Sequence, residues 1–67
     1  MLNRKKLQGK MIEMGFSSLE LSKAIGISQS AFFRKLSGIS DFTREEIQHI
    51  RNLLNLTSEE LESIFFA

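Results

Sequence analysis

Three times in 67 residues the chain repeats one device: a Ser or Thr, two further residues, then a Glu, followed by apolar residues at helical spacing. The copies are Ser17-Ser18-Leu19-Glu20, Thr43-Arg44-Glu45-Glu46 and Thr57-Ser58-Glu59-Glu60. In such a capping box the hydroxyl accepts a hydrogen bond from the N–H three residues on. The carboxylate reaches back to the N–H of the capping residue. Each copy therefore predicts a helix start. Asn3 and Ser28 are simpler N-caps and predict two more. Gly15, Gly26 and the Ser37-Gly38 pair supply stops. The result is five short helices. The first runs from Asn3 to near Gly15, the second from Ser17 to about Ile25, and the third from Ser28 to about Leu36. Two more open at Thr43 and Thr57. The loops between them span about two to six residues, a normal range. The chain has no proline and no strand-like alternation, so the expected fold class is all-α.

Apolar spacing assigns an inner face to each helix. Leu7, Met11 and Met14 form the stripe of the first, with Ile12 half-buried beside it. Leu21 and Ile25 point inward from the second, and Phe32 and Leu36 from the third, with Ile27 plugging the corner between them. Ile47, Ile50 and Leu54, with Leu53 close by, line the fourth. Leu61, Ile64 and Phe65 line the fifth. Gly9 in mid-helix costs about 1 kcal/mol relative to Ala. It is explained either by close approach of another backbone or by simple tolerance.

A chain this short buries only about 60% of its unfolded surface, which fits one domain over residues 1–67 and no more. Cysteine is absent, so neither a disulfide nor a thiolate metal site is available. The basic N-terminus is not followed by the apolar stretch of a signal peptide, and no apolar run is long enough to span a membrane. A reducing cell interior, the cytoplasm, is the expected location. Charge is unevenly spread. Residues 1–38 carry seven basic and two acidic side chains, residues 39–67 two basic and six acidic, for a net +1. A basic half suits a polyanionic partner, with the acidic half facing away. Chance division between two solvated faces is the plainer reading.

The stretch ELSKAIGISQSAFFRKLSG, residues 20–38, interrupts a helical rhythm at Gly26 and restarts it with Gln, Arg and Lys outward. One continuous helix has no use for the break. Two helices crossing at a fixed angle need it, and helix, Gly turn, helix is the layout of a helix-turn-helix over about residues 17–37. Such a crossing needs a small residue, which Ser22 provides, and a turn residue that accepts positive φ, which Gly26 provides.

The run Ser17-Ser18-Leu19-Glu20-Leu21-Ser22-Lys23-Ala24-Ile25-Gly26-Ile27-Ser28-Gln29-Ser30, with Phe32, Arg34 and Gly38, resembles the Cro/repressor-type (XRE-like) helix-turn-helix family of phage and bacterial regulators. The whole chain fits the pattern, with one helix before the motif and two after. Ser40-Asp41-Phe42-Thr43-Arg44-Glu45-Glu46-Ile47 is similar to short phage-encoded members. Ser22, where the family usually has Ala, and Phe33, where a polar residue is usual, are departures. The resemblance implies a five-helix DNA-binding domain whose third helix enters the major groove.

On that reading Gln29, Ser30, Phe33 and Arg34 contact bases. Gln pairs with adenine, Ser with several bases, Phe packs on a thymine methyl, and Arg reaches guanine or a phosphate. Phe33 equally suits a place against the fourth helix or a partner protein. Phosphate contacts fall to the helix-start serines Ser17, Ser18 and Ser28, and to Lys35, Ser37 and Ser40 after the third helix. Lys10 and Arg4 are weaker candidates. Capping alone, or plain solvation, is the alternative role of each. The apolar end, Phe65 and Phe66, supplies a dimer or partner surface or else frays.

Catalysis has no supporting constellation. The serines lack a His-Asp partnership, and the paired glutamates diverge by about 100° along their helices. His49 is the only histidine and belongs on the surface of the fourth helix, not in a metal site. No cofactor and no metal are expected. The expected function is a sequence-specific transcriptional regulator of phage or prophage Cro or repressor type, a homodimer on a double-stranded DNA operator. The alternative is an antirepressor or modulator that keeps the frame but docks on another regulator protein.

Overall fold

A computed structural model of the chain describes residues 2–66. Five helices appear in order: α1 Arg4–Met14, α2 Ser18–Ala24, α3 Gln29–Leu36, α4 Arg44–Leu54 and α5 Ser58–Phe65. No strand occurs among the described residues. All five starts fall where the capping residues put them. Ser17, Thr43 and Thr57 each close a full capping box with Glu20, Glu46 and Glu60. Asn3 and Ser28 accept from Lys6 and Ala31.

The stops follow one rule. Gly15, Gly26, Gly38 and Asn55 adopt positive φ, and each N–H returns to a carbonyl three residues back. The N–H of the next residue returns to a carbonyl five residues back: Phe16 to Met11, Ile27 to Ser22, Ile39 to Arg34 and Leu56 to Arg51. This is the Schellman closure, which satisfies carbonyls that the helix leaves open. The residue after the left-handed one is apolar in all four. Leu56 is buried, and Phe16 and Ile27 pack partly buried on the core. Ile39, just after α3, is instead 75% exposed.

The core joins Leu7 and Met11 of α1 to Leu21, Ile25, Phe32, Leu36, Ile50, Leu54, Leu56, Ile64 and Phe65. Helix α1 packs on α4 and α5, while α2 packs on α3. The N–H of Asn3 donates to the Ile64 carbonyl at 2.6 Å and ties the start of α1 to the end of α5. Two positions differ from the helical-wheel reading. Met14 is 41% exposed and Ile12 79% exposed. The inner row of α1 is Leu7 and Met11, four apart. One turn later the helix has already ended at Gly15, and Phe16 folds back in place of Met14. Ile12 lies about 100° around from Met11 and meets only solvent.

Candidate nucleic-acid interface

Helices α2 and α3 are held together by the corner between them. Gly26 takes φ 80°, a backbone that side chains with a Cβ rarely adopt. Ser22 is buried at the crossing, and its hydroxyl donates to the Leu19 carbonyl at 2.8 Å. That bond removes the penalty of burying a bare hydroxyl, so Ser serves where a small apolar residue would. On α3, Phe32 and Leu36 are buried four residues apart. The Phe32 ring meets the Phe42 ring edge-on at 5.8 Å, and Phe42 meets Phe65 likewise at 5.8 Å. This line of three rings runs from α3 to α5 through the loop before α4. It fixes the roll of α3 about its own axis.

With that roll fixed, Gln29, Ser30, Phe33, Arg34 and Ser37 are all exposed. Gln29, Phe33 and Ser37 form one row at four-residue spacing, and Ser30 with Arg34 forms the next. The four residues proposed from sequence for base contact therefore share one side of α3. Phe33 is 44% exposed and touches the buried Phe32 edge-on at 6.5 Å, so its outer edge remains open.

The serines divide by what their hydroxyls already do. Ser17 accepts from Glu20 N–H at 3.1 Å and gives its own N–H to the Glu20 carboxylate. Bonds from the Ser17 backbone and hydroxyl hold the Glu20 carboxyl below its ordinary range, so a negative charge sits at the start of α2. Ser18 is half-buried. Ser28 accepts from Ala31 N–H at 3.1 Å, which leaves its hydroxyl proton available, and the first turn of α3 holds no acidic residue. Ser37 donates its proton to the Phe33 carbonyl at 2.8 Å. Ser40 is half-buried, with its N–H near the Arg34 carbonyl.

Two basic candidates are engaged elsewhere. Lys10 bridges Glu60 at 2.8 Å and Glu13 at 3.1 Å. The bonds to Glu60 and then Glu13 raise its pKa above the ordinary lysine value. Lys35 pairs with Glu46 of α4, with the two side chains 14% and 13% exposed. Each ammonium has a carboxylate within reach across the fold. Phe65 differs too. It is 8% exposed and completes the core, so of this pair Phe66, 64% exposed, is the one open to a partner.

The family model of the Cro/C1-type HTH DNA-binding domain matches residues 6–66. The chain belongs to that family. No curated protein and no solved structure matches it significantly. That family is one of DNA-binding regulatory domains, not of enzymes. No helix of the described residues is long and apolar enough to cross a membrane. The Cro/C1 match begins within α1 and ends after α5, so the Lys35–Glu46 pair and the phenylalanine line lie inside the matched region.

Sequence reasoning missed Phe42, Leu56 and Ile39. Asn55 and the apolar residue after it were a readable stop signal. Ile39 carried the same signal, but nothing local distinguishes a closure that packs inward from one that does not. Ile39 adds an exposed apolar side chain at the far end of α3, next to the row ending in Ser37.

Proposed function

We propose that the chain is a sequence-specific transcriptional regulator of phage or prophage Cro or repressor type. It lays α3 in the major groove of a double-stranded DNA operator. The observation that carries this reading is the split of α3 into two faces. Phe32 and Leu36 lock one face to the core, while Gln29, Ser30, Phe33 and Arg34 stand exposed together on the other. A helix built that way presents side chains with base-reading chemistry on a rigid support. Ser28 and the acid-free first turn of α3 suit a phosphate at its N-terminus. Ser18 would add its backbone N–H, and Ser17 and Ser40 their hydroxyls, as further phosphate contacts. Two protomers would read half-sites roughly 34 Å apart.

Selection from a randomised duplex library, followed by binding of purified protein to the recovered site, tests the reading. A defined site bound far more tightly than random duplex supports it; recovery of no enriched sequence at low salt sinks it. Within that assay Gln29→Ala is expected to cost about 1–3 kcal/mol on the selected site and to relax preference at one base pair.

The second reading is a modulator that docks on another regulator protein. The exposed Leu19 and Phe33, each 44% accessible, favour it. Binding to a neighbouring regulator that is lost on Phe33→Ser, without any enriched DNA site, would separate that role from the first.

A further inference from the structure

The two cations of α3 meet different fates. Arg34 is exposed and enters no ion pair among the described residues. Lys35, its neighbour, turns back to Oε1 of Glu46 in the first turn of α4. Its ammonium also lies 5.9 Å from the centroid of the Phe42 ring, within cation–π range. The carboxylate has little freedom to follow it outward. Glu46 accepts the Thr43 N–H at 2.9 Å, and Thr43 Oγ1 accepts the Glu46 N–H at 3.2 Å. Movement of Glu46 would uncap α4, and departure of Lys35 would leave a shielded carboxylate unpaired.

We propose that Glu46 sets the electrostatic strength of the DNA-reading face by withholding Lys35 from phosphate. The proposal rests on the DNA-binding reading above and adds a residue outside α3 that sets the non-specific part of the affinity. A phosphate contact strengthens binding to every sequence alike and carries no base information. One more such contact steepens the dependence of log affinity on log salt by about 0.9. Holding Lys35 in reserve keeps that non-specific term small. The side chains of Gln29, Ser30 and Arg34 then supply a larger share of the total, and the protein spends less time on non-cognate duplex, while the ratio of specific to non-specific affinity is unchanged.

Glu46→Gln is the informative variant. A Gln at this position still closes the capping box with Thr43 but no longer neutralises a cation. Wild type, E46Q, K35Q and the double variant K35Q/E46Q would be titrated onto a short random-sequence duplex by fluorescence anisotropy, from about 50 to about 200 mM salt. Circular dichroism reports that each is folded. E46Q should bind the random duplex more tightly, with a slope steeper by about 0.9. K35Q should leave the wild-type slope unchanged. In the K35Q background the added E46Q change should have little effect, a non-additivity that altered net charge cannot produce. Equal effects of E46Q in both backgrounds would overturn the proposal, as would a slope flattened by K35Q alone. Should E46Q fail to fold, the K35Q slope decides by itself. Binding without coupling removes only this proposal. Absence of binding by all four proteins at low salt removes the DNA-binding reading and the proposal together.

Discussion

Two glycines show how backbone conformation, not space, decides what a residue does. A Cβ added at Gly9 or at Gly26 would meet no heavy atom within 4 Å. Gly9 sits inside α1 with ordinary helical geometry, so no close-packed backbone accounts for it. Gly9→Ala should stabilise the domain by about 1 kcal/mol, the helix-propensity difference. For a domain of this size that is roughly 4–8 °C in Tm. Gly26 stands at φ 80°, where an L side chain is strained, so Gly26→Ala should cost about 1–2 kcal/mol. The same substitution, equally unobstructed, has opposite signs at the two sites. Thermal melts of both variants check this, and equal shifts would contradict it. Of the two sequence explanations offered for Gly9, tolerance is the one that the open surroundings support.

At the scale of the element, what was legible in the sequence was local. Caps and stops act over three to five residues, and all five helix starts and the Gly15, Gly26 and Gly38 stops followed from them. Features that depend on distant partners did not. Phe42 matters because Phe32 and Phe65 flank it, and Lys35 is tied up by a residue eleven positions on. Met14 was misread for a related reason, since periodicity says nothing of where the neighbouring helix ends. The capping boxes also carry a pH signature. Burial alone would raise the Glu46 carboxyl, but the bonds from Lys35 and Thr43 outweigh it and hold it low. The Ser17 backbone bond lowers Glu20, and the Lys10 bond, then that of Thr57, lowers Glu60. Each folded-state value lies below the ordinary 4.5. The unfolded chain therefore binds more protons in that range, and stability falls with pH there. Tm should be insensitive to these three groups at neutral pH and drop as pH passes below 4.5 through the lowered values. Gln at all three positions should flatten that acid limb. Melts across the acid range measure it, and an unchanged limb in the triple variant would show that other groups govern it.

For the whole molecule, the division into a basic and an acidic half turns out to be partly self-cancelling. Lys10 and Lys35 of the first half bond to Glu60 and Glu46 of the second. The cations left exposed are Arg4, Lys5, Lys6, Lys23, Arg34 and Arg44, so charge alone understated how much of the basic half is spent inside the fold. The dimer surface expected at the apolar end is subject to the same logic of subtraction. With Phe65 in the core, Phe66 projects between hollows lined by Ile47 and Phe42 on one side and by Leu61 and Arg44 on another. A stable dimer hides about 800 Å² on each protomer, a large share of the 4372 Å² available here. One phenylalanine cannot supply that. Phe66 would have to insert as an anchor between copies, with the faces of α4 and α5 around it closing over the remainder. Because its ring is 64% exposed in the protomer, Phe66→Ser should leave the helical signal and Tm nearly intact. It should nevertheless convert a dimer to a monomer in analytical ultracentrifugation and weaken binding to a two-half-site operator much more than to a single half-site. A wild-type protein that sediments as a monomer both free and on the full operator would rule out this surface as the dimer contact. A variant that loses its fold along with its dimer would instead place Phe66 in the protomer's own core.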